Sequence, residues 1–281
     1  MRIHVARHAG ICYGVERALK LANEAAGQGR PVRTLGPLIH NPQAVEALHA
    51  RGIELAACLE DADDGTLVIR THGVDPAIIA AARDKGLDVV DATCPFVSAA
   101  HECAAQLAEA GYFVVIVGEP DHPEVEGILA YTGSDAIVVE EVGDVPERLP
   151  KRKVGVVVQT TQSMSRLTDI VAALLPRVSE LRVCNTICSA TSKRQASAEE
   201  LAASVDVMVV VGGHNSGNTT RLAEICRAVN PRTYHVETAE ELDSEWFLGA
   251  TDVGVTAGAS TPGEQMRGVI EAIEALGSGR S

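Results

Sequence analysis

Three cysteines, Cys12 in AGICYGVERAL, Cys94 in DATCPFVSAAHE and Cys188 in CNTICSATSKRQ, each stand where a strand-like run passes into a helix-like one. One polar residue follows each at a fixed distance: His40, His122 and Ser216 lie 28 positions beyond Cys12, Cys94 and Cys188. A second polar strand end comes later in every repeat, as His72 in RTHGV, Thr160 in VVVQTTQS and Ser260 in VTAGAST. A threefold internal repeat that supplies one thiolate per module predicts a three-cysteine site. The helix after each cysteine turns the positive end of its dipole toward the sulfur and favours the thiolate. An iron–sulfur cluster usually takes four thiolates, so three would leave one iron open. An open iron can act as a Lewis acid on a substrate oxygen and pass electrons to it.

The remaining polar strand ends suit an anion. His40 in GPLIHNPQ, His72 and His122 in DHPEVEG each read alone as hydrogen-bonded structural residues, but three at equivalent strand ends predict imidazolium donors for phosphate oxygens. Glu124, two residues after His122, is a candidate proton donor, whereas Glu126 reads as a first-turn carboxylate favoured by the helix dipole. VVVGGHNSGNTTRL is a strand, a glycine-rich loop and a helix, an arrangement that aims backbone N–H groups at phosphate. Gly212 and Gly217 have the glycine spacing of a nucleotide-binding loop, yet Asn218 stands where its lysine belongs, which disfavours nucleoside triphosphate hydrolysis. Ser216, Asn218 and Thr219 remain as neutral donors for a small diphosphate. A GxGxxG with a partner acid is missing, so a dinucleotide cofactor lacks support.

These side chains need a scaffold that delivers strand ends to one place. Apolar strand-like runs alternate with alanine-rich helical patterns: IHVARHAG with VERALKLANEAA, TLVIRTHG with PAIIAAARDKG, FVVIVGEP with PEVEGILAYTG, VGVVVQTT with RLTDIVAALLP, VMVVVGGHNSG with TTRLAEICRAV, and VGVTAGAS with GEQMRGVIEAIEAL. Such alternation predicts an α/β fold of parallel-rich sheets covered on both faces, with ligands at the carboxyl ends of the strands. The repeat predicts three pseudo-symmetric βα lobes, over 13–94, 95–190 and 191–281, with strand 1–12 completing the third. The tail GSGRS at 277–281 reads as frayed.

A chain of 281 residues, 46% hydrophobic, is long enough for a well-buried core. Its formal charge of −14 argues against a nucleic-acid partner, although an acidic exterior can still enclose a cationic pocket. No apolar run reaches the roughly 18 to 20 residues a membrane span needs, and MRIHVARHAG lacks the layout of a signal peptide, so a cytoplasmic location is expected. Seven cysteines, an odd number, disfavour a disulfide framework in such a chain. Cys58, Cys103 and Cys226 are expected to be small buried hydrophobes. Cys184 and Cys188 alone do not make a zinc ribbon.

Taken in order, AGICYGVERA, GPLIHNP, RTHGV, DATCPFV, HPEVEG, QTTQS, the IC of CNTIC, NSGN and TAGAST resemble the motifs of the LytB-type family of 4-hydroxy-3-methylbut-2-enyl diphosphate reductases, essentially end to end. The resemblance implies a trefoil of three α/β lobes around a central [4Fe–4S] cluster on Cys12, Cys94 and Cys188, with one iron open to the substrate's allylic hydroxyl. It implies reductive loss of that hydroxyl as water, giving isopentenyl and dimethylallyl diphosphate, with ferredoxin or flavodoxin as electron donor. By position Glu124 matches the family's proton-relay acid, assisted by His122 and Thr160, and His40, His72, Ser216, Asn218 and Ser260 match its diphosphate ligands. Thr161 is not separable from Thr160 by pattern. The family's loop often reads NSSN; here Gly217 replaces the second serine, removing a hydroxyl worth about 0.5 to 1.5 kcal/mol while keeping a backbone N–H. Two other readings stay open at this stage: an iron–sulfur sensor that binds an isoprenoid diphosphate without turning it over, and a hydro-lyase that removes water with no net electrons.

Overall fold

The valine-rich runs form the middle of three four-stranded sheets, and every strand pairing in them is parallel. The computed structural model describes residues 1–133 and 135–278. In chain order the elements are β1 (Arg2–Val5), α1 (Tyr13–Ala26), β2 (Val32–Leu35), α2 (Pro42–His49), β3 (Ile53–Ala56), β4 (Thr66–Ile69), α3 (Pro76–Asp84), β5 (Asp88–Asp91), α4 (Pro95–Glu109), β6 (Phe113–Val117), α5 (Pro123–Ala130) and β7 (Ala136–Val139). The chain continues through β8 (Lys153–Val158), α6 (Met164–Leu174), β9 (Glu180–Cys184), α7 (Ser189–Ala202), β10 (Val207–Val211), α8 (Gly217–Val229), β11 (Thr233–Val236), β12 (Asp252–Ala257) and α9 (Gly263–Ser278). The last three residues of the expected third lobe, 279–281, and with them the end of the tail, lie outside the described residues.

The sheet orders are β3-β2-β4-β5, β7-β6-β8-β9 and β11-β10-β12-β1, one arrangement written three times. In the first two, the strand leading to a cysteine is the fourth of its own repeat. In the third that place is taken by the first strand of the chain, β1, paired with β12 from Arg2↔Asp252 to Val5↔Val255. The chain divides into two compact units: Met1–Val15, His40–Ala44 and Ser189–Ser281, which hold the third sheet, and Glu16–Ile39 with Val45–Cys188, which hold the other two.

The inner strands are buried on both faces, as parallel strands with helices on either side must be. All five residues of FVVIV in β6 and of VMVVV in β10 are buried. Each such side chain contributes roughly 1.5 to 3 kcal/mol relative to exposure. In the second sheet Val115, Val117, Val156 and Val158 pack with Leu167, Ile170 and Leu174 of α6, while Val114, Ile116 and Val157 face Ala100, Ala104 and Leu107 of α4 and Val125 and Ile128 of α5. In the third sheet Val209, Val211, Val253 and Val255 pack with Val269 and Ile273 of α9.

The flanking strands β3, β5, β7, β9 and β11, and the inner strand β2, are not among the runs the sequence pattern picks out. They are four or five residues long, and edge strands such as β5 and β9 carry exposed or half-buried residues at most positions, so their pattern is weak. Two cysteine expectations also fail. Cys103 of α4 and Cys184 at the end of β9 form a disulfide, with Cα atoms 6.7 Å apart and 81 residues of separation. Helix α4 covers the face of the sheet beside β8, which brings Cys103 to the end of β9. Cys58 is exposed at the start of a short 3-10 turn, and Cys226 alone is the buried hydrophobe expected, its thiol pushed up to about 12 by burial. Among the described residues no helix is long and apolar enough to cross a membrane.

Candidate active site

Each of the three cysteines is anchored by its own backbone. The Cys94 N–H donates to the Thr71 carbonyl at 3.0 Å, the Cys188 N–H to the Thr160 carbonyl at 3.0 Å, and the Cys12 N–H to the Ala259 carbonyl at 3.1 Å. Thr71 and Ala259 immediately precede His72 and Ser260, and Thr160 is itself the corresponding residue of the second repeat. Every cysteine is therefore tied to the loop bearing the second polar residue of the neighbouring strand in its own sheet. All three are half-buried. Cys94 is the N-cap of α4 with extended backbone, φ −62° and ψ 134°, so its sulfur lies at the positive end of a 15-residue helix. A half-buried cysteine sulfur at a helix entry is the kind of soft donor that an iron–sulfur cluster takes.

The residues 28 positions on also occupy equivalent places, five residues past the ends of β2, β6 and β10. His122 and Ser216 are the N-caps of α5 and α8. The His122 Nδ1 accepts the Glu124 N–H at 3.1 Å. An accepting Nδ1 carries no proton, so the ring is the neutral Nε2–H tautomer. His122 thus serves as acceptor to its own helix through Nδ1, as Ser216 does to α8 through Oγ. Ser216 Oγ accepts the Thr219 N–H at 3.4 Å and the Thr219 hydroxyl at 3.1 Å, which leaves its own O–H as a donor. Thr219 is fully buried and its hydroxyl is committed to Ser216, so it does not join the donors expected of this loop. In the first repeat the capping role moves one residue along: Asn41 Oδ1 accepts the Ala44 N–H at 2.8 Å, and the His40 side chain stands outside the cap.

Glu124 is 1% exposed. Its Oε1 accepts the Thr160 N–H at 2.6 Å and its Oε2 the Thr160 hydroxyl at 2.9 Å. Burial pushes the carboxyl up to about 7, against the pull of the two Thr160 hydrogen bonds and with a smaller push from Glu119. A carboxyl that titrates there carries a transferable proton near neutral pH. Thr160 is buried against Glu124, while the half-buried Thr161 accepts a hydrogen bond from Gln159 Nε2 at 3.1 Å. Glu126 is exposed and ion-pairs with Arg70 at 3.7 Å.

In the same unit His72 meets His122 edge to face, with ring centroids 5.4 Å apart at 84°. The turn that carries His72 is pinned by Gly73 at φ +72°, where an added Cβ would lie 2.5 Å from His101. His101, 4% exposed and stacked on Tyr131 at 4.6 Å, is driven by burial to a pKa of about 4 and packs between this turn and Gly127 of α5. Neither His101 nor Gln159, fully buried with its Oε1 accepting the Glu119 N–H, was found from sequence, since neither lies at a repeated spacing.

In the other unit Gly212 has φ +146° and no room for a Cβ, which would lie 2.5 Å from the Thr261 hydroxyl. The following loop delivers Ser216, Gly217 and Asn218 at the start of α8, ahead of the helix's own hydrogen-bond ladder. Asn218 is 8% exposed, and its Nδ2 has no hydrogen-bond partner among the described residues. An orphaned buried donor at a helix N-terminus fits an anionic oxygen. Ser260 Oγ donates to the His40 carbonyl at 3.0 Å, joining two of the expected diphosphate loops.

Parallel sheets that carry cysteine thiols, a carboxyl pushed up to about 7 and neutral hydrogen-bond donors at their carboxyl ends are the scaffold of an α/β enzyme. The LytB protein family matches residues 3–274, and the chain belongs to that family. It is 52% identical over 263 residues to the 4-hydroxy-3-methylbut-2-enyl diphosphate reductase of Pelobacter propionicus, covering 93% of this chain and 94% of that one. To the enzyme of the same name from Aquifex aeolicus it is 50% identical over 279 residues, 96% of each chain. Among solved structures it resembles (E)-4-hydroxy-3-methyl-but-2-enyl diphosphate reductase, described as the terminal enzyme of the non-mevalonate pathway, with TM-score 0.72 and 48% identity over 98% of this chain and all of that one. It also resembles the Plasmodium falciparum reductase, with TM-score 0.87 and 26% identity over 96% and 86% of the two chains.

Proposed function

We infer that this chain is a 4-hydroxy-3-methylbut-2-enyl diphosphate reductase, which removes the allylic hydroxyl of its substrate to give isopentenyl and dimethylallyl diphosphate. The net reaction consumes two electrons and two protons and releases the oxygen as water. Full-length identity of about half to enzymes of that name supports the activity. The observation that carries the residue-level reading is the buried Glu124 with both carboxylate oxygens bonded to Thr160.

Cys12, Cys94 and Cys188 would hold a [4Fe–4S] cluster. When bound, that group supplies a Lewis-acidic iron for the departing oxygen and a route for electrons, with ferredoxin or flavodoxin as the one-electron donor. His40, His72, Ser216, Asn218 and Ser260, with the Gly217 backbone, bind the diphosphate and so orient the reacting end through the part of the substrate that does not change. His122, capped as the Nε2–H tautomer, donates without bringing a full charge. Glu124 delivers the proton that lets the hydroxyl leave as water, and Thr160 holds its carboxyl in place while Thr161 supports the loop through Gln159. A cytoplasmic location goes with this reading.

The test is anaerobic turnover of the hydroxylated diphosphate by cluster-loaded protein, following oxidation of a reduced viologen and identifying products. Reductant consumption matched by the two isoprenoid diphosphates is expected. Substrate binding without reductive turnover, with the cluster intact, would contradict the assignment and favour a sensor, and turnover without reductant would point to a hydro-lyase.

A further inference from the structure

His40, Ser216 and Ser260 belong to one compact unit, and the segments that carry them are joined by hydrogen bonds through Glu237 and Gln265, two side chains outside the motifs. Gln265, in the first turn of α9 just after Ser260, accepts from Asn41 Nδ2 at 3.0 Å and donates its own Nε2 to the Glu237 carbonyl at 2.5 Å. Glu237, just past β11, accepts the His214 N–H with its Oε1 at 2.6 Å, and His214 lies inside the loop that leads to Ser216. Asn41 follows His40 directly and is 1% exposed. The chain of contacts Asn41–Gln265–Glu237–His214 therefore spans all three loops. Around it, Glu241 Oε2 accepts the Glu237 N–H at 3.2 Å and lies 3.0 Å from His214 Nε2, and His235 Nε2 donates to the Gly212 carbonyl at 2.9 Å.

Two carboxylates behind an anion-binding loop oppose anion binding by their charge. Their contacts are instead geometric: each takes a backbone N–H, and Glu237 takes the one that sets the direction of the loop. We propose that Glu237 and Gln265 are positioning residues that hold the His40, Ser216 and Ser260 loops in register for the substrate's diphosphate. The proposal rests on the diphosphate site inferred above. It separates geometry from charge at a single position. Glu237→Ala removes the acceptor and frees the loop. Glu237→Gln keeps an acceptor oxygen and removes a negative charge, so a geometric role predicts affinity equal to or above that of the unaltered protein.

The experiment is calorimetric binding of inorganic pyrophosphate to cluster-loaded protein, paired with KM and kcat for the hydroxylated diphosphate. Glu237→Ala is expected to weaken pyrophosphate binding and raise KM by roughly tenfold, with kcat at saturation changed less than about threefold, as loss of uniform binding predicts. Glu237→Gln should retain or exceed the original affinity. Gln265→Ala, which leaves Glu237 and the sheet intact, should raise KM in the same way and serves if Glu237→Ala does not fold. Unchanged KM and pyrophosphate affinity in folded Glu237→Ala or Gln265→Ala would overturn the proposal, as would an equal loss in Glu237→Gln. Failure of the unaltered protein to bind pyrophosphate would instead overturn the diphosphate reading beneath it.

Discussion

The second and third repeats build the same strand, loop and helix and use them for different chemistry. At equivalent positions five residues past a central strand, His122 caps α5 and Ser216 caps α8, and capping consumes the acceptor of each side chain. Each side chain thereby acts as an acceptor toward its own helix. The repeats diverge just beyond the cap. In the second, Glu124 is buried on the next strand's Thr160 and titrates near 7. In the third, Asn218 stands two residues past the cap, a neutral donor with a buried orphan N–H. One repeat thus stores a proton and the other offers donors that never ionise. A helix N-terminus favours an anion in both, and the two differ in what stands two residues beyond the cap, a carboxyl in one and a carboxamide in the other.

That contrast sets the size of the expected effects. Glu124→Gln should lower kcat by about 100-fold or more with KM nearly unchanged, the loss expected of a positioned acid, measured anaerobically on protein with intact cluster absorbance. Full turnover in that variant would erase the distinction between the two repeats. The same residue predicts a stability trend. Its folded pKa of about 7 exceeds the ordinary 4.5, so between those values the native state holds a proton the unfolded chain has lost. Native stability should therefore fall as pH rises through that window, by about 3 kcal/mol from this group. Chemical denaturation at pH 5 and pH 8 checks it, with Glu124→Gln losing this contribution. Replacing Cys103 by Ser removes a bridge closing 81 residues and should cost about 2 to 4 kcal/mol, read as a lower melting temperature that reductant reproduces in the unaltered protein. In the third repeat, Ser216→Ala should cost about 1 kcal/mol of stability for the lost cap and raise KM while sparing kcat, the opposite kinetic pattern to Glu124→Gln.

Central strands such as FVVIV and VMVVV were legible because burial on both faces demands unbroken apolar runs. Edge strands such as DVVD and ELRVC were not, since one flank is solvated and their pattern approaches that of a loop. The fixed spacing of 28 could be read because each repeat runs from a cysteine through a helix to the next strand's end. The neutral tautomer of His122 could not, because it follows from an N–H two residues away that only the capped geometry aims at the ring. Contacts that tie distant segments left no local trace: Cys103 with Cys184, Asn41 with Gln265 across 224 residues, and Ser260 with His40 across 220.

The most direct test of Glu124 as the proton source is the pH dependence of kcat in cluster-loaded protein, for the unaltered enzyme and for Glu124→Gln. The account predicts that the unaltered rate is level below about pH 7 and falls tenfold per unit above it, following the ionisation of one group, and that the residual rate of the variant lacks this break. A rate that stays level through that range, or a break that survives in the variant, would contradict it.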